Sequence, residues 1–117
     1  MSDRISLLIK IFRVELEEAE NDIQALMEYY SERFDNKEIT PYVWQENQAL
    51  LSKEVSCIKE LEGDLNEWKR PAGVTDIQEV LQALNNYLHE LVTKHGYPEL
   101  VNIVIDRITE KVTRYIE

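Results

Sequence analysis

Between residues 5 and 30, Ile5, Ile9, Phe12, Leu16, Ala19, Ile23, Leu26 and Tyr30 recur at alternating steps of four and three. On an α-helix this spacing draws one continuous apolar seam, which only another helix laid alongside can cover. The next long segment supplies Trp44, Leu51, Ile58 and Leu65 at steps of seven. If the chain turns back near residue 37, Tyr30 falls level with Trp44, Ile23 with Leu51, Leu16 with Ile58 and Ile9 with Leu65. The seam therefore predicts a long antiparallel helical hairpin, with helices over about 3–34 and 41–69.

Local signals agree with that reading. Ser2 is a candidate N-cap for the first helix, and Asp35-Asn36-Lys37-Glu38 is a turn by composition. Thr40 caps the second helix, Pro41 takes its first position, where a missing N–H costs nothing, and Ile39 can pack back onto the first turn. A second line on that helix runs Asn47, Glu54, Leu61, Trp68, so the middle of the hairpin is weakly held along it, and Asn47 is placed to fix register as a buried polar group. Gly63 reads as a site of close helix approach, with a tolerated helix weakness as the other reading.

Arg70-Pro71-Ala72-Gly73-Val74 is the one strong break. Thr75 with Gln78 three residues on has the form of a capping box, and Asp76 and Glu79 suit a first turn. Ile77, Leu81, Leu84, Leu88 and Val92 then precede Lys94-His95-Gly96-Tyr97-Pro98, a helix stop made of bases, glycine and proline. Val101, Ile105, Ile108, Val112 and Ile116 mark a fourth helix, with Leu88 level with Ile105 and Leu81 with Val112. The expectation is an all-α chain, a four-helix antiparallel arrangement of a long hairpin (1–70) and a shorter one (about 76–95 and 98–116) forming a single domain over 1–117. At about 1.5 Å per residue the second hairpin is too short to cover all of the first. It is expected over the base, around Leu7, Leu8, Ile11, Leu65 and Trp68, because the first helix carries surplus apolar residues there.

Charge narrows the function classes. A net charge of −10 argues against DNA or RNA, whose binding draws on clustered Lys and Arg. It fits a basic protein partner, or a surface that is merely solvated. Lys10 and Arg13 interrupt the apolar start, so neither a leader peptide nor a membrane span is expected there. Cys57 is the only cysteine, which excludes an intrachain disulfide and suits the cytoplasm.

Three sets of residues bear on chemistry. Glu15, Glu18 and Asp22 share one helical face, with Glu54 expected across the seam near Ala19, and hard oxygen ligands at that spacing could hold Mg²⁺. All-helical nucleotide pyrophosphohydrolases carry paired Glu-x-x-Glu and Glu-x-x-Asp motifs. Here the first occurs as Glu15 to Glu18 and Glu17 to Glu20, but the second is absent, since Glu60 and Asp64 have the wrong spacing. The expectation is a solvated acidic face, no catalytic residue, no metal and no cofactor. His89 lacks the small and basic neighbours of a phosphorylated histidine, and Arg107, Lys111 and Arg114 read as an ion-paired helix face with Glu110.

The third set is aromatic. Tyr29, Tyr30, Phe34, Tyr42 and Trp44 place half of the ten aromatic residues at the far end of the long hairpin, where no other helix of the chain is expected to reach. Aromatic side chains are enriched where proteins bind one another. These five are the candidate partner-binding residues, for a basic protein or for a second copy in a homodimer; the competing reading is that they only close the hairpin.

Overall fold

The computed structural model describes residues 2–116, with side chains from Arg4 onward. It is all-helical: α1 spans Ser2–Asp35, α2 Pro41–Glu67, α3 Ile77–His95 and α4 Glu99–Ile116. α1 rises, α2 descends, α3 rises and α4 descends, with α4 lying beside α1 and reaching α2 as well. The molecule measures 57 × 27 × 19 Å. Its radius of gyration, 16.7 Å, exceeds the roughly 13 Å of a compact chain this long, because α1 and α2 project past the other two helices.

The helix ends follow the expected chemistry with two changes. Thr40 accepts a hydrogen bond from the Val43 N–H, with Pro41 next to it. The α3 cap is Asp76 rather than Thr75: its carboxylate accepts from the Glu79 N–H, and a charged acceptor at a helix N-terminus outcompetes a hydroxyl one residue earlier. Gly96 closes α3 in the left-handed conformation at φ 66°, which a glycine adopts without steric cost. The expected Ser2 cap is instead the first residue of α1, and its side chain lies outside the described residues.

One apolar core runs through all four helices. Phe12, Leu16, Ile58, Leu61, Leu65, Leu84, Leu88 and Ile105 are fully buried, with Val80, Val101 and Val112 between them. Ile23 and Leu51 mark its upper limit, and none of the described residues 24–50 is fully buried. The short hairpin covers more than the base. Leu100, Val104 and Ile108 of α4 stand beside Ile23 and Leu51, so α4 shelters the middle of the long hairpin too. Coverage of the base is in turn incomplete: Leu8 is buried, but Leu7 and Val14 are half exposed and lie in a groove with Tyr115. The helix carries apolar residues around more of its circumference than α4 can cover.

The register of the short hairpin is as expected. Asn85 of α3 donates to Asp106 Oδ1 at 3.3 Å and to Thr109 Oγ1 at 2.8 Å, while His89 meets Asn102 and Asp106, so both bracket their level partners on α4. The long hairpin is offset. Trp44 stacks on Phe34 with ring centroids 4.7 Å apart, up to a turn beyond the expected Tyr30, and its indole N–H donates to Ser31 Oγ. Lower down, Glu62 lies beside Glu20 and Glu17, where level pairing would place Phe12. Sliding two heptad seams by a step of three or four exchanges one apolar line for the other with little loss, so the period alone leaves the register open by about a turn. Specific contacts then decide it. The polar anchor is Gln48, not Asn47: its amide donates to the Met27 carbonyl at 3.0 Å and to Ser31 Oγ at 3.1 Å.

Gly63 is a further correction. It is exposed, and a Cβ added there meets nothing within 4 Å, so no close helix approach requires it.

Candidate functional site

The upper end of the long hairpin is held by a few side-chain contacts rather than by core. Phe34 and Trp44 form the stack that closes it, Tyr29 meets Tyr30 edge-on at 5.5 Å, and the Arg33 guanidinium sits 5.7 Å from the Tyr29 ring centre. Arg33 also pairs with Glu38 across the turn. Tyr30, Phe34 and Trp44 are mostly hidden, while the outer two rings stay largely open to solvent. Tyr42 is 68% exposed and Tyr29 51%, with Leu26, Val43 and Leu50 exposed close by in sequence. The Tyr42 hydroxyl donates to Glu46 at 2.9 Å, which fixes the ring against α2 with one face to solvent. Thus the structure gathers all five candidate aromatics at one end, divided into three that close the hairpin and two that face outward. Around them stand Glu28, Glu32, Asp35, Glu38 and Glu46 against Arg33 and Lys37, an acidic rim.

The acidic residues of α1 form the expected solvated face only in part, since Glu17, Glu18 and Asp22 are exposed but Glu15 is buried. Glu15, Glu18, Asp22 and Glu54 all line one cleft of about 420 Å³ between α1, α2 and α4. Glu18 and Asp22 are exposed at its edge, whereas Glu15 is 8% and Glu54 5% exposed. The packing of α4 against α1 causes this burial. Lys111 of α4 reaches across to Glu15 Oε1 at 2.7 Å and to Glu18 at 4.0 Å, so it pairs with α1 rather than with its own helix. Only Arg114 keeps the expected pairing, to Glu110 at 3.0 Å. Neither Glu15 Oε2 nor Glu54 Oε2 has a hydrogen-bonding partner among the described residues. Burial pushes the Glu54 carboxyl above the ordinary carboxylate range. Among the described residues no three carboxylate, histidine or cysteine groups converge as metal ligands would.

His89 is fully engaged. Its Nδ1 lies 2.6 Å from Asn102 Oδ1 and its Nε2 2.7 Å from Asp106 Oδ1, which suits an imidazolium donating from both nitrogens. Burial alone would lower its pKa, but the bonds to Asn102 and Asp106 and the charges of Asp106 and Glu99 raise it. With no ring nitrogen free, it serves as a clamp between α3 and α4. A second group of acids, missed in the sequence, lies between α1 and α2. Glu62 is pushed up to about 7 by burial, then by sharing a proton with Glu20 and by the charges of Glu20 and Glu17. The offset register brings these three together, and no local motif announces it.

The arrangement is that of an elongated four-helix bundle with an uncovered aromatic end and a sheltered acidic cleft. Compared with known proteins, the chain matches no family model, no curated protein and no solved structure. No described helix is long and apolar enough to cross a membrane.

Proposed function

We propose that this is an acidic protein that acts by binding another protein at the aromatic end of its long hairpin, as an inhibitor, immunity protein, antitoxin or secretion chaperone does. The observation that carries the reading is the exposure of Tyr29 and Tyr42 on a part of the hairpin that contains no fully buried residue. Rings presented to solvent beside the Phe34–Trp44 stack are suited to anchoring a partner, and tyrosine loses little side-chain freedom in doing so. The acidic rim and the net charge of −10 favour a basic partner over a second copy, since two such ends repel one another. Cys57, reduced and buried, suits a cytoplasmic setting.

The test compares proteins captured by the wild type and by Tyr42→Ala, followed by re-binding of the purified partner. A basic protein should be lost from the variant, with its affinity falling by about 30-fold or more, the equivalent of roughly 2 kcal/mol. Melting should be nearly unchanged, because Tyr42 closes no part of the core. A dimer seen in sedimentation of the wild type and absent in Tyr42→Ala would replace the basic partner with a second copy. Identical capture by both forms would reduce the end to a hairpin closure.

A second reading, Mg²⁺-dependent hydrolysis, rests on the meeting of Glu15, Glu18, Asp22 and Glu54 in one cleft. Against it, the Lys111 ammonium already occupies the place beside Glu15 where a cation would sit. The expected outcome is that millimolar Mg²⁺ or Mn²⁺ barely moves the melting temperature, since a ligand stabilises only through preferential binding to the folded state. A large shift abolished by Glu18→Ala would favour the hydrolase.

A further inference from the structure

The cleft between α1, α2 and α4 has a feature that the Lys111 pair does not resolve. Glu54 is almost wholly withdrawn from solvent, its Oε2 has no hydrogen-bonding partner among the described residues, and the chain's own bridging cation stands on Glu15. Glu15 is itself only half satisfied, since Lys111 takes Oε1 and leaves Oε2 alone. A buried carboxylate without a donor is unfavourable, and such groups in native proteins usually have a counterpart that supplies N–H or O–H. Beside these acids the cleft has aliphatic walls: Ile23, Leu26, Leu51, Leu100, Val104 and Ile108. Its volume of about 420 Å³ is in the range of small-molecule sites, which combine apolar walls with a few fixed polar groups.

We propose that the cleft binds a small organic cation with a hydrocarbon or aryl body, its ammonium or guanidinium donating to the Glu54 carboxylate while its apolar part lies against Val104, Ile108 and Leu51. The charge balance fits. Four carboxylates face Lys111 and Arg107, an excess of two negative charges that a cation reduces. A bare divalent ion fits less well, because the acids do not converge to coordination distance and would leave the aliphatic walls without a role. An anionic ligand of the same shape would be repelled by these carboxylates, and a neutral one could offer a hydrogen bond but no charge to offset them. This site is separate from the aromatic end, so the two proposals stand or fall independently.

The probes are phenethylamine, its near-isostere 2-phenylethanol, the anion 3-phenylpropionate and the apolar-poor cation spermidine, each titrated into the full chain with amide resonances followed by NMR. Phenethylamine should give saturable shifts at Ile23, Leu51, Glu54 and Val104, and should bind at least tenfold more tightly than any of the other three. Glu54→Gln, which keeps the shape of the side chain, should cost at least tenfold in phenethylamine affinity and leave the weak binding of 2-phenylethanol unaltered. Its melting temperature, no lower than that of the wild type, verifies that the fold is intact. Equal affinity for the amine and the alcohol would overturn the proposal, as would absence of phenethylamine shifts in the cleft. MgCl₂ moving the same resonances in a Glu54-dependent way would overturn it in favour of a metal site.

Discussion

At the scale of single residues, the titratable groups give the fold a direction in pH. Glu62 in the folded state holds its proton up to about pH 7, whereas in the unfolded chain it ionises in the ordinary carboxylate range. Between those two values the folded state binds more protons than the unfolded one, so stability falls as pH rises through that window. His89 acts in the same sense. Its folded pKa is raised above the unfolded value, so its contribution is complete at low pH and is lost as pH rises through the folded value. The wild type should therefore melt at a lower temperature at pH 8 than at pH 6. Glu62→Gln should recover on the order of 1 kcal/mol at pH 8 and far less at pH 4, where the folded state is protonated and the unfolded one mostly so. Equal stabilisation at both pH values would mean that the Gln acts through packing rather than through the shared proton. None of this was legible in the sequence. Glu17 and Glu20 read as members of a solvated face, and nothing singled out Glu62, because their meeting depends on a register that the heptad period does not specify.

At the scale of elements, helix boundaries and the pairing of α3 with α4 were readable because each rests on local chemistry. The Thr40-Pro41 start, the glycine stop at Gly96 and a short hairpin with a tight turn leave few alternatives. The longer hairpin shows the limit. Two seams of equal period slide past one another at small cost, and Phe34 stacking on Trp44 with Gln48 bridging to Met27 and Ser31 selects the observed offset. Gly63 illustrates the same limit from the other side. A glycine in a helix interior suggests a close approach, yet only the third dimension shows that its surroundings are open. With no neighbour to clash, Gly63→Ala should gain helix propensity and stabilise the protein by about 1 kcal/mol. Urea unfolding followed by circular dichroism measures it; a loss of stability would show that a contact forms there after all.

At the scale of the whole molecule, stability and recognition occupy different ends. The buried residues extend from Leu8 to Ile23 on α1 and from Leu51 to Leu65 on α2, sealed by α3 and α4, while the outer part of the hairpin relies on one aromatic stack and a few hydrogen bonds. That division was visible in outline from helix lengths and from the clustering of aromatic residues. Which rings would turn outward was not, because Phe34 and Trp44 satisfy each other only in the offset register. The Leu7, Val14 and Tyr115 groove at the opposite end is the competing surface, apolar and exposed as well. The most direct measurement is the amide hydrogen-exchange footprint of the purified basic partner on this protein. Protection is predicted over residues 26–35 and 41–50, with the groove at the base unchanged. Protection confined to residues 4–18 and 107–116, with the aromatic end exchanging as in the free protein, would contradict the account.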